Sequence, residues 1–232
     1  MTTFQQTALL LTVIWLVLVV VRFRRSTVVL IAGLFALGAY ALAAFILHKV
    51  TLAELGLDFP SSWLRTVGFA LAGLVIMLAF SPLADLLASR WFSKPPTLQA
   101  FGAIQQSRLK LIAGILAAWV LGGILEELVA RGIVLGSVVS LLTPSLGAPV
   151  AVGIAIFVAA LGAGLMHLYQ GPRAVVIVTQ LSILFGILFV VSGYNLWAVI
   201  ICHGLYDTIA FIRFATKKSK YSDLGGSQVV SS

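Results

Sequence analysis

Ionisable side chains are scarce in this sequence: Asp, Glu, Lys and Arg together make up 9% of its 232 residues. Soluble domains carry roughly 25%, because a surface in water needs groups that water can solvate. With 61% hydrophobic residues and a mean hydropathy of +1.12, a largely water-exposed exterior is excluded, and lipid must be the main solvent. There is one cysteine, Cys202, so no internal disulfide can form; inside an apolar run it reads as a small buried hydrophobe. Short segments that alternate apolar and polar residues are also missing, which argues against a transmembrane barrel. Acidic residues number 7 against 15 Lys and Arg, a formal net charge of +8. The basic residues sit in short clusters between apolar runs, which argues against a nucleic-acid partner and for the lipid bilayer itself.

What the sequence does contain is a series of apolar runs long enough to cross a hydrocarbon core of roughly 30 Å as helices. They predict an all-α fold, a polytopic transmembrane helical bundle of about seven spans (six to eight). The runs lie at about 4–21, 28–48, 66–87, 110–142, 149–168, 173–192 and 195–214. No basic segment precedes the first run, and Arg22, Arg24 and Arg25 follow it. That order suits an anchor with its N-terminus outside rather than a cleaved signal peptide. Alternation of the spans then puts twelve basic residues on one side: those three with Arg90, Lys94, Arg108, Lys110, Arg173, Arg213, Lys217, Lys218 and Lys220. Only Lys49 and Arg65 fall opposite, offset by Glu54 and Asp58. Because Lys and Arg are retained on the cytoplasmic side, the N-terminus is expected outside and the C-terminus in the cytoplasm.

The loop from Thr51 to Arg65, with Gly56, Pro60 and Trp63, is expected at the membrane interface. The stretch from Ser89 to Ser107 reads as a cytoplasmic connection, interrupted by Pro95-Pro96. Three regions follow: N-terminal transmembrane helices with that connection (1–109), a helical core (110–214), and a disordered cytoplasmic tail (215–232).

Ionisable groups at membrane depth are expensive, so each one is a functional candidate until a partner explains it. Three places hold them. In Gly122-Gly123-Ile124-Leu125-Glu126-Glu127-Leu128-Val129-Ala130-Arg131, two adjacent carboxylates and a guanidinium interrupt a long apolar run. Glu127 and Arg131 are four apart, so they share a helical face and can pair. Glu126 points roughly 100° away on an α-helix, which leaves it free to act as a general base. The second place is His167, in Gly164-Leu165-Met166-His167-Leu168-Tyr169-Gln170-Gly171. The third is His203-Gly204-Leu205-Tyr206-Asp207, where His203 and Asp207 also share a face. Taken singly, these are a structural ion pair, an interfacial histidine and a helix-packing hydrogen bond. Taken together, on three apolar helices almost free of other charge, they predict one buried site.

The remaining polar residues read as structural. His48 lies beside Lys49 at a span end, and Asp85 has Arg90 beyond it. Gly132 and Gly136 form a small-residue packing pattern. Ser137, Ser182 and Ser192 have no visible base partner, which gives a serine nucleophile little support.

At the charged residues the sequence resembles the CPBP family of intramembrane peptidases, which includes CAAX prenyl endopeptidases and bacteriocin-processing or immunity proteins. The family motif Glu-Glu-x-x-x-Arg is matched by Glu126, Glu127 and Arg131. Phe-x-x-x-His is matched at His167, with Ala163 in place of Phe. His-x-x-x-Asn/Asp is matched by His203 and Asp207. The flanking words His167-Leu168-Tyr169-Gln170-Gly171 and Asn195-Leu196-Trp197-Ala198 look like prokaryotic members, which implies a prokaryotic cell membrane. The likeness covers about residues 110–213 and makes 110–214 a CPBP-like catalytic core.

The resemblance implies an intramembrane endopeptidase acting on a membrane-associated peptide or protein. Glu126 would activate a water with help from His167, His203 and Asp207 would stabilise the oxyanion, and Glu127 with Arg131 would hold the constellation. No cofactor is the first expectation. The family has also been described as metallopeptidases, and Glu126, His167 and His203 could form an open three-ligand Zn²⁺ site, although no His-Glu-x-x-His segment is present. A non-catalytic immunity or partner protein on the same scaffold and an ion-coupled transporter are the alternatives. The second lacks the repeated halves and interrupted helix pairs of such transporters.

Depth poses a further condition. Counted from the outer ends of their spans, His203 lies roughly 10 Å deep and His167 about 27 Å. Straight, untilted helices would keep them apart, so tilt, shifted span ends, or a break near Gly122-Gly123 is required.

Overall fold

The computed structural model describes residues 2–22 and 26–225, with side chains as far as residue 216. Arg24, Arg25, the side chains of Lys217, Lys218 and Lys220, and the final residues of the expected tail (226–232) lie outside the described residues. Helices account for the architecture: α1 (Thr3–Val21), α2 (Thr27–Ile46), α3 (Trp63–Ser89), α4 (Arg108–Leu146), α5 (Ala148–Met166), α6 (Pro172–Val191) and α7 (Leu196–Gly225). All seven are long and apolar enough to cross a membrane, α7 over Leu196–Thr216. There is no strand among the described residues.

Local chemistry explains where the helices begin. The side chains of Ser26, Ser62 and Ser107 each accept a backbone N–H three residues on, at the starts of α2, α3 and α4. This satisfies a donor that the helix itself leaves open. Thr2 and Gln5 cap α1 reciprocally. Helices α5 and α6 carry proline in their first turn, where its missing N–H costs nothing. Glycine separates the tight turns: Gly147 between α4 and α5 and Gly171 before α6 both have positive φ, 75° and 106°, which a side chain would resist.

The interior is small-residue packing as much as large-residue packing. Fully buried positions include Ala8, Leu34, Ala70, Leu135, Ala155, Ala160, Val199 and Cys202. Leu10, Val75, Ile76 and Phe157 face outward, as suits a chain solvated by lipid.

Two departures from the sequence expectation bear on the site. The loop after α2 is partly ordered by a short 3₁₀ turn, Ala53–Leu55, that buries Leu55 at the bundle surface. A Cβ on Gly132 would come within 3.0 Å of the Leu55 carbonyl oxygen. More consequential is α4, whose middle is not α-helical: Trp119–Glu126 and Leu128–Leu135 are wound as π-helix. Such wide turns are rare and usually brief, and they occur at functional sites. The wider turn reduces the rotation from one residue to the next, so the 100° separation expected of Glu126 and Glu127 is too large.

Helices α4 and α5 form a hairpin about Gly147 (one residue between them). Val129, Ala130 and Val134 line the same small cavity as Ala159, Ala163 and Met166. Residues at equal distance from the turn therefore face one another. Glu127 and His167 are each twenty residues from Gly147. This register brings the second motif level with the first, whatever depth each has from the membrane faces.

Candidate active site

Glu127 is the hub of the site. It is 0% exposed, and Arg131, one turn on, is 2% exposed. Arg131 Nη1 lies 3.1 Å from Glu127 Oε1, as a hydrogen bond, and 3.0 Å from Oε2, an ionic contact without hydrogen-bond alignment. His203 Nδ1 approaches Oε1 at 2.6 Å. A carboxylate can only accept, so Nδ1–H is the donor and the second ring nitrogen, Nε2, is left to face the site. Nε2 lies 3.5 Å from Asp207 Oδ2.

The guanidinium is fixed from its other end by α6. Arg131 Nη2 donates to the Ser182 carbonyl at 2.7 Å and to the Ser182 hydroxyl at 2.6 Å. Phe185, one turn further along α6, stacks against the His203 ring with centroids 4.7 Å apart, and Arg131 Cζ lies 5.4 Å from the same phenyl centroid. One aromatic ring thus packs against both partners of Glu127.

Helix α7 can come this close because α4 has no side chain in the way. A Cβ on Gly122 would sit 2.9 Å from Asp207 Oδ2 and 3.2 Å from His203 Nε2. A Cβ on Gly123 would be 3.4 Å from the Ile200 carbonyl oxygen. On the facing side Gly204 lies under the Trp119 indole, where a Cβ would come within 2.4 Å. The indole N–H donates to Thr208 Oγ1 at 3.1 Å, and Tyr206 donates to Ser81 of α3 at 3.0 Å. These bonds set the rotation of α7.

Glu126 is half-buried and, unlike its neighbour, makes no hydrogen bond or ion pair among the described residues. Asp207 lies within electrostatic reach of Glu126, His167, His203 and Glu127, which puts the three motifs in one neighbourhood. His167 caps α5, and its Nδ1 lies 3.0 Å from the Ala163 carbonyl oxygen. Donation there leaves Nε2 as the open nitrogen. That contact uses backbone only, which explains how Ala can stand at 163.

The structure also places residues that were set aside. Ser182 anchors Arg131. Asp85 pairs with Arg173 at 2.8 Å rather than with Arg90. His48 is exposed, with φ 54°, at the end of α2.

Residues 108–209 match the family model described as type II CAAX prenyl endopeptidase Rce1-like. The match places a segment similar to CAAX-protease domains across α4–α7, consistent with the CPBP family. Neither the curated proteins nor the solved structures returned a match. The matched segment covers less than half of the chain and contains all six ionisable residues of the three motifs. With seven membrane-length helices, the Rce1-like domain supports an integral membrane endopeptidase of the CAAX-protease type.

A Zn²⁺ ion held by Glu126, His167 and His203 does not fit this arrangement. Among the described residues no three of His, Cys, Asp and Glu are grouped to hold a metal ion. The donor chemistry explains part of this, since His203 Nδ1 is engaged by Glu127 and its Nε2 faces Asp207.

Proposed function

We propose that the CPBP domain hydrolyses a peptide bond of a membrane-associated protein or peptide with a water activated by Glu126, without a metal. One observation carries this reading: of two adjacent acids in an apolar bundle, Glu127 is fully committed to Arg131 and His203, while Glu126 is left without a partner.

The steps follow from the atoms available. Glu126 takes a proton from water, assisted by His167 Nε2. The hydroxide oxygen bonds to the carbonyl carbon, and the carbonyl π pair moves to oxygen. His203, with Nδ1–H on Glu127 and a second proton on Nε2 balanced by Asp207, donates to that oxyanion. A placed donor of this kind is worth about 2.7–4 kcal/mol in the transition state. On collapse the C–N bond breaks, and the proton held by Glu126 passes to the leaving amine. Glu127, Arg131 and Ser182 do not react; they keep His203 in one orientation. The bias of the basic residues supports an N-terminus outside, and the motif words support a prokaryotic cell membrane.

The test uses purified full-length protein in detergent with two quenched fluorogenic peptides, one ending in a farnesylated CAAX sequence and one unprenylated but membrane-tethered. Wild type is expected to cleave at least one, with and without chelator, and Glu126→Gln to lose more than about 100-fold. Cleavage that survives Glu126→Gln would sink the mechanism. Loss on chelation, restored by Zn²⁺, would replace it with a metal-assisted one. Cleavage of neither peptide, with intact folding, would favour a non-catalytic partner protein.

A further inference from the structure

A cavity of about 670 Å³ adjoins the site. It lies between the start of α2 (Thr27), the α3–α4 connection (Thr97 and Gln99) and the α5–α6 turn (Tyr169, Gln170 and Gly171). The Thr97 N–H donates to the Gln170 carbonyl at 2.9 Å, tying two of these walls together. Its volume is in the range of pockets that enclose a small ligand or a few residues of peptide. Among the described residues, no lining side chain is charged. A peptide backbone, which offers neutral donors and acceptors, would find hydroxyls and amides to match.

Tyr169 stands where this cavity meets the catalytic groups. Its hydroxyl oxygen accepts from the Gln170 side-chain amide at 2.8 Å, and its own hydrogen has no acceptor among the described residues. The ring stacks beside His167, centroids 6.1 Å apart, and the hydroxyl lies within electrostatic reach of Glu126 and Asp207. Burial pushes the phenol up to about 12, with the two carboxylates adding and the Gln170 bond opposing. The group therefore keeps its proton at any working pH. A half-buried donor with an uncommitted hydrogen is one that a ligand would complete.

Resting on the peptidase reading above, we propose that the cavity receives the substrate segment flanking the scissile bond. Tyr169 donates its phenolic hydrogen to a carbonyl of that segment where it reaches Glu126.

The same two peptides test this by two routes. In cleavage, Tyr169→Phe keeps the ring and removes the donor, and kcat/KM is expected to fall 10–100-fold with an unchanged melting temperature. In binding, both peptides are titrated onto Glu126→Gln protein and onto the Glu126→Gln/Gln99→Trp double variant. Gln99 is exposed, so the indole fills the cavity without disturbing the core, and at least 10-fold weaker binding is expected. If the double variant melts early, a photoreactive benzoylphenylalanine at position 99 replaces it and is expected to crosslink the peptide. Tyr169→Phe within twofold of a cleaving wild type overturns the donor role. Equal binding with and without the indole, no crosslink, or no peptide bound at all overturns the cavity's role. If wild type binds at the cavity but does not cleave, the peptidase reading fails and the binding site stands without a catalytic donor.

Discussion

Changing Glu127 to Gln would leave Arg131, 2% exposed, inside the bundle without its paired carboxylate, and would leave His203 Nδ1 only a neutral amide oxygen as acceptor. Breaking a buried pair by removing one partner costs about 3–5 kcal/mol, because the surviving charge stays desolvated. In chains of this size 1 kcal/mol moves the melting temperature by about 2–4 °C, so Glu127→Gln is expected to melt about 6–20 °C below wild type. Glu126→Gln removes a half-buried carboxylate with no bonded partner, and its shift should stay near 2 °C while activity is lost. Five tryptophans give an intrinsic fluorescence signal for melting in detergent. A double variant, Glu127→Gln with Arg131→Met, removes both charges and is expected to regain at least half of the lost stability, since no desolvated charge of the pair is left behind. The reasoning is refuted if Glu127→Gln melts within 2 °C of wild type, or if Glu126→Gln falls as far as Glu127→Gln does.

Gly122→Ala would put a methyl carbon 2.9 Å from Asp207 Oδ2 and 3.2 Å from His203 Nε2. The few tenths of an ångström by which these two atoms must give way are expected to lower cleavage about 10-fold, whereas Gly153→Ala, with open space around its Cβ, should stay within twofold. Arg173→Ala breaks the pair with Asp85, whose side chain is 49% exposed. That loss should cost less than about 1 kcal/mol, read as a melting shift below about 4 °C.

Much of the fold was legible because lipid imposes a simple rule on sequence. Each apolar run became one helix, and each helix start coincides with a Ser, Thr, Asn or Pro that supplies or spares a backbone bond. The Glu127–Arg131 pair was legible too, because it is local to one helix. Contacts between helices were not. Nothing in the spacing of His203 pointed to Glu127, and Ser182 looked like any serine in an apolar run until α6 was laid against α4. Depth counting separated the two histidines because it measured from the membrane faces, whereas the chain sets their relation through the Gly147 turn and the wide winding at Gly122-Gly123. Intrinsic preferences gave no warning of that winding, since the same apolar residues form α-helix elsewhere in the chain.

The Gly147 hairpin behaves like a folded ruler. Its two arms are read from a common crease, so a residue added to one alone slides an acid past its imidazole by about 1.5 Å and turns it by about 100°. Residues added to both arms keep the motifs level, but the side chains face one another again only after about a whole turn on each arm, so the forty-residue interval from Glu127 to His167 should change by about seven at a time, shared between the arms.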